Sequence, residues 1–133
     1  MLSTDVVVAG GGVSGLLIAS ALASESSVVL VEQGETLTRN KYWLTDEKAV
    51  SANPHLQTCI DRRYDYLGFV AYDGLKARIK GRYCLWDTDK LVDFLAQRAA
   101  TEGTQILTGR RLYSFKHERD GILVRANSVK QIV

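Results

Sequence analysis

The sequence predicts an α/β fold built on a parallel sheet, joined by an antiparallel hairpin and a C-terminal three-stranded antiparallel meander. Three observations lead there. Val6-Val7-Val8-Ala9 and Val28-Val29-Leu30-Val31 are continuous apolar runs without alternation, the pattern of strands buried on both faces. Between them lies a stretch that is apolar almost all round and rich in good helix formers. Beyond residue 110 the pattern changes to short β-like segments separated by turn-forming pairs.

Along the chain, the first run ends at Gly10 and leads into a helix from Val13 to Ser24. Leu16, Leu17, Ile18, Ala21 and Leu22 leave it little polar surface, so it is expected to be largely covered. Ser26-Ser27 breaks the helix and the second run closes at Glu32. Residues 5–32 therefore read strand, helix, strand, with parallel strands and a right-handed crossover. From Gln33 to Arg63 the signal fades. Gly34 begins a polar loop, residues 41–50 include a short helical stretch, and Pro54 opens a further loop. Leu67 to Tyr72 and Leu75 to Ile79 flank Asp73-Gly74, a pair suited to the positive φ angles of a tight turn, and read as a hairpin. Asp87 or Thr88 caps a helix over residues 89–102, with Leu91, Phe94, Leu95 and Ala99 at helical spacing and Gly103 past its end. Residues 105–108 form a third short strand, completing a second strand-after-helix unit. Leu112 to His117, Ile122 to Ala126 and Val129 to Val133 make the meander, with turns at Arg119-Asp120-Gly121 and Asn127-Ser128. No linker, repeat or shift in composition marks an internal boundary, so residues 1–133 read as one domain.

Composition excludes several classes of function. The chain is 46% hydrophobic and 24% charged, which is neither disordered nor fibrous. Lys plus Arg total 17 against 15 for Asp plus Glu, a net charge of +2 that offers no basic footprint for nucleic acid. Cys59 and Cys84 form no C-x-x-C pair and have neither His55 nor His117 at ligand spacing. They read as two reduced, partly buried thiols rather than a metal site. The apolar start lacks a basic n-region and is interrupted by Asp5 and its glycines, so it is neither a signal peptide nor a membrane span. A cytoplasmic location follows as the expectation.

The chemistry concentrates at Gly10-Gly11-Gly12-Val13-Ser14-Gly15, a G-x-G-x-x-G pattern placed between a buried strand and a helix. Gly10 permits the tight turn, Gly12 clears a path for pyrophosphate to the backbone, and Gly15 allows helix and strand to pack closely. A helix start offers free N–H groups and about half a positive charge, enough to favour phosphate without a lysine. Glu32 ends the second strand 22 positions after Gly10, close to the separation of about 20 expected of a carboxylate that binds ribose hydroxyls. Without a ligand, the same residues would be a tight turn and a solvated loop acid. Glu32, with no basic residue in Gln33-Gly34-Glu35, disfavours a 2′-phosphate and hence NADP. FAD and NAD share the adenosine diphosphate half, and the loop alone does not separate them.

DVVVAGGGVSGLLIASALA followed by SVVLVEQG resembles the N-terminal FAD-binding segment of flavin-dependent oxidoreductases. YCLWDTDKLVDFLAQRAATEGTQILTG is similar to the helix-and-strand block of the branch holding aromatic hydroxylases, geranylgeranyl reductases and lycopene cyclases. Asn40-Lys41-Tyr42-Trp43-Leu44-Thr45-Asp46-Glu47 resembles the Asn-Tyr, Trp and Asp-Glu stretch of lycopene cyclases, with different spacing. The resemblance implies a Rossmann-type domain in which Gly10, Gly12, Val13, Ser14, Gly15, Glu32 and Gln33 hold the adenosine diphosphate half of FAD. It places Arg39 in the loop where relatives carry a flavin-contacting arginine. Many relatives also have an arginine just before the second long helix, where this chain has Asp87-Thr88-Asp89.

Relatives continue into a Gly-Asp cofactor contact and a substrate domain that binds small hydrophobic or aromatic molecules, and no such motif follows Val133. The resemblance therefore implies a C-terminally truncated FAD-binding domain of a monooxygenase, reductase or cyclase-like enzyme. No catalytic residue is assignable, the isolated chain is expected to lack turnover, and its unfinished sheet is expected to favour self-association. Two alternatives stay open at this point: a fragment of an NAD-dependent oxidoreductase, and a nucleotide-binding module or truncated product without catalysis.

Overall fold

A computed structural model gives the structure of the protein over residues 2–128. The chain divides into two compact units, one holding the residues up to Arg39 and from Val92 onward, the other Asn40–Leu91. No composition shift announces this division. One border falls in a polar loop and the other inside a continuous helix, whose periodicity runs straight through it.

The first unit is built on a parallel sheet of β1 (Val6–Ala9), β2 (Val28–Val31) and β6 (Gln105–Leu107), in the order β1-β2-β6. Val6 pairs with Val28 and Val8 with Leu30, while Leu30 also faces Ile106 across the other edge. All four β2 residues are buried, as an unbroken β-branched and leucine run in a central strand requires. β1 differs from expectation. Among the described residues it is an outer strand, and Val7 is exposed instead of covered on both faces.

Helix α1 (Val13–Leu22) connects β1 to β2 and buries Val13, Leu16 and Ala19 in the core with Leu30, Val92, Leu95 and Ala99. It ends two residues earlier than expected and is covered on one side only, because Leu17, Ile18 and Leu22 are exposed. Thr104 Oγ1 donates to the carbonyl oxygen of Ala19 at 3.3 Å, tying the approach to β6 to the middle of α1. From β6 the chain enters a two-stranded antiparallel hairpin of β7 (Arg110–Glu118) and β8 (Gly121–Ser128). β8 continues through Asn127 and Ser128, where a turn was expected. Those residues pair with Arg111 and Arg110, and the ladder hydrogen bonds outweigh their turn propensity. The third meander strand, Val129 to Val133, lies outside the described residues.

The second unit is an antiparallel sheet in the order β3-β5-β4, formed by β3 (Leu44–Asp46), β4 (Ile60–Val70) and β5 (Lys76–Trp86). Helix α2 (Lys48–Ala52) and a 3₁₀ segment, Pro54–Cys59, lie between β3 and β4. These occupy the region without a firm sequence signal, and each is shorter than one period pattern needs to declare itself. The hairpin extends well beyond its expected limits, from Ile60 opposite Trp86 to Val70 opposite Lys76. At its tip only Gly74 has positive φ (+84°). The turn is closed by Gly74 N–H donating to Ala71 O at 2.9 Å, so Asp73 does not take the left-handed conformation expected of an Asp-Gly pair. Asp73 instead accepts from Leu75 N–H at 3.0 Å. Trp86 is buried, and its indole N–H donates to Thr45 Oγ1 at 2.9 Å, which satisfies the polar edge of the ring.

Helix α3 (Thr88–Thr101) starts at Asp87, whose carboxylate accepts from Lys90 N–H at 3.2 Å. Gly103, at φ +102°, closes it. Its buried positions are Leu91, Val92, Leu95 and Ala99; Phe94, which shares the helical spacing of Leu91, Leu95 and Ala99, is only half-buried.

Candidate functional site

The carboxyl end of β1 turns sharply at Gly10, which adopts φ +100° and donates its N–H to Val31 O at 2.8 Å. A side chain there would be strained whatever the space around it. At Gly15 the constraint is space: a Cβ would overlap the carbonyl oxygen of Gly10, so only glycine lets the first turn of α1 rest on the strand end. Gly12 is the N-cap of α1 in an extended conformation, and Leu16 N–H donates to its carbonyl oxygen at 3.0 Å. No side chain caps this helix and no acidic residue stands in its first turn. A Cβ at Gly12 would meet nothing within 4 Å. The helix thus begins with uncapped N–H groups beside open space, an arrangement that suits an anion. Val13 turns its side chain into the core and offers the site its backbone alone, whereas Ser14 is exposed.

Glu32 stands at the same turn and is no solvated acid. It is 6% exposed. Its Oε2 accepts from Gly11 N–H at 2.6 Å and its Oε1 from Gly34 N–H at 2.7 Å. An ionised carboxylate has about four acceptor positions, so these two bonds leave capacity for the two hydroxyls of a vicinal diol. Gln33 is exposed beside it.

The structure therefore brings Gly10, Gly12, Val13, Ser14 and Gly15 together with Glu32 and adjoining Gln33. The Arg39 guanidinium pairs with Asp93 Oδ1 on α3 at 2.5 Å. Two residues of the site escape sequence reasoning. Gly11 occupies a free position of the glycine pattern, yet a Cβ there would lie 2.6 Å from Leu37 Cδ2 and 3.1 Å from Glu32 Cβ. Gly34 reads as a loop opener and in fact holds the second oxygen of Glu32.

The lycopene cyclase-like stretch has structural partners for both its acids. Asp46 accepts from Lys48 N–H at 2.8 Å, opening α2, and Glu47 accepts from Arg82 Nε at 2.6 Å and Arg63 Nε at 3.3 Å. The Thr88 hydroxyl, in the Asp87-Thr88-Asp89 stretch, donates to Lys41 O at 2.6 Å.

The sequence pattern of the family described as lycopene cyclase protein matches residues 5–128. No curated protein sequence matches. Among solved structures, THI4 of Thermovibrio ammonificans is similar with a TM-score of 0.63 and 19% identity, over 95% of this chain and 48% of that one. PqsL of Pseudomonas aeruginosa gives a TM-score of 0.68 at 21% identity, over 93% of this chain and 38% of that one. Aklavinone-11 hydroxylase, in a ternary complex with FAD and aklavinone, gives 0.66 at 21% identity, over 95% and 30%. At these identities the likeness is one of fold, and the chain spans less than half the length of each of the three. The family match takes in the glycine turn, Glu32, both hairpins and α3, and on that extent the chain belongs to the lycopene cyclase protein family.

Proposed function

We propose that residues 1–133 belong to a Rossmann-type FAD-binding domain of a flavin-dependent oxidoreductase, and that the glycine turn and Glu32 hold the adenosine diphosphate half of the cofactor. The observation that carries this reading is the uncapped start of α1 facing open space at Gly12, with the buried Glu32 carboxylate at the same turn. The residues present fit the group. The backbone N–H groups of residues 13–15 at the helix start would take the pyrophosphate, and Glu32 the ribose diol. Ser14, exposed at the start of α1, adds a hydroxyl donor, and exposed Gln33 borders the ribose side. FAD, when bound, supplies hydride and electron transfer at its flavin ring. The residues named here would bind and orient the cofactor.

FAD is favoured over NAD by the neighbours: aklavinone-11 hydroxylase holds FAD, and PqsL is described as a probable FAD-dependent monooxygenase. For the whole enzyme the proposed substrate is a small hydrophobic or aromatic molecule, a reading supported by the aklavinone bound to aklavinone-11 hydroxylase. Arg39, paired with Asp93, is proposed as a contact on the flavin side of the cofactor.

The test is titration of adenosine diphosphate into the wild-type chain and Gly12→Val. A valine at position 12 fills the open space that the phosphates would take. The expected result is saturable binding by wild type, none by the variant, and matching far-UV circular dichroism. Equal affinity in the two proteins would overturn the assignment.

A further inference from the structure

Glu32 carries more connections than a ribose ligand requires. Its N–H donates to Leu107 O at 2.8 Å and its carbonyl oxygen accepts from Arg110 N–H at 3.0 Å, fixing it to the end of β6 and the start of β7. From that anchored backbone the carboxylate reaches back to Gly11 N–H at 2.6 Å and Gly34 N–H at 2.7 Å. Gly34 is fixed in turn, since its carbonyl oxygen accepts from Gly109 N–H at 2.7 Å. Gly11 sits against Glu32 Cβ and Leu37 Cδ2 too closely for a side chain. The middle of the glycine turn is thus held by a buried acceptor that is itself locked into the sheet, and Gly12 and the helix start follow directly after it.

We infer that Glu32 is a positioning residue for the pyrophosphate loop: its carboxylate sets the conformation of Gly11 and so the aim of the α1 N-terminus, independently of any bond to ribose. The inference rests on the proposed dinucleotide site and assigns Glu32 a second task within it. The physical reason is directional. Without an acceptor, the Gly11 N–H would be a buried donor without a partner, and a flexible glycine turn would relax to pair it elsewhere. The turn would then spend part of its time with its N–H groups away from the phosphates, and affinity falls by the fraction of competent loop lost.

A ligand without ribose separates the two tasks. Inorganic pyrophosphate and adenosine diphosphate are titrated by NMR into the full chain and into Glu32→Gln, which keeps the side-chain shape but replaces one acceptor oxygen with a donor. The positioning role predicts that pyrophosphate binding weakens about tenfold or more in Glu32→Gln, in step with adenosine diphosphate, as expected when a hydrogen bond to a charged group is lost. A variant that binds pyrophosphate as wild type does, and loses affinity for adenosine diphosphate alone, overturns it. Amide exchange of the ligand-free wild-type chain gives a second measure that needs no variant. The Gly11 and Gly34 amides should be protected, and exchange as fast as that of the exposed hairpin tip at Tyr72 would overturn the inference even if Glu32→Gln fails to fold. Failure of the wild-type chain to bind either ligand would count against the dinucleotide site, leaving the exchange data to decide the role of Glu32 in the loop.

Discussion

Asp5 shows how a single exposed carboxylate registers the first two strands. Its Oδ2 accepts from Ser27 Oγ at 2.7 Å and Ser27 N–H at 2.8 Å, while its own N–H donates to Ser27 Oγ at 2.9 Å. The hydrogen bonds from Ser27, the side-chain bond foremost, hold the Asp5 carboxyl below its ordinary value. The folded-state pKa is therefore lower than the unfolded one, so the stabilisation is complete above the unfolded value of about 4 and disappears as pH falls through the folded value. Chemical denaturation of wild type and Asp5→Asn across this range should show a constant advantage for wild type at neutral pH that shrinks below about pH 4. An advantage independent of pH would mean that the charge has no part in it.

At the scale of elements, α3 has a cap whose owner the sequence leaves open between Asp87 and Thr88. The structure assigns it to Asp87, which accepts from Lys90 N–H, while the Thr88 hydroxyl goes to Lys41 O. Asp87→Ala should accordingly cost about 1 kcal/mol, measured by thermal or denaturant unfolding. A smaller loss than that of Thr88→Ala would contradict the assignment.

α1, α3, β2 and the hairpin at Gly74 were legible because each repeats its pattern long enough, or borders a residue with a steric duty of its own. The region from Gln33 to Cys59 was not. β3 has three residues and α2 has five, and their stability comes from distant partners: Leu44 pairs with Leu85, and Glu47 N–H donates to Arg82 O at 2.9 Å. Within the candidate site, the turn at Gly10, Gly12 and Gly15 and the place of Glu32 beside it were legible through their spacing. Gly11 and Gly34 were not, because a backbone N–H donor is common to every residue but proline and leaves no mark in a sequence.

For the whole molecule, the parallel sheet leaves β1 as an outer strand among the described residues, with Val7 exposed, and Leu17, Ile18 and Leu22 exposed on α1. An open strand edge beside apolar side chains favours association between copies. The purified chain should elute larger than a monomer, and Ile18→Lys should shift it toward the monomer without changing its circular dichroism. Elution of wild type as a monomer at every concentration would refute this expectation.

Dinucleotide binding at the glycine turn is tested most directly by amide chemical-shift mapping with adenosine diphosphate, because each N–H reports separately. The predicted result is saturable movement concentrated at residues 10–15 and 32–34, with residues 60–86 still. Absence of saturable shifts, or their concentration in the β4–β5 hairpin, would contradict it.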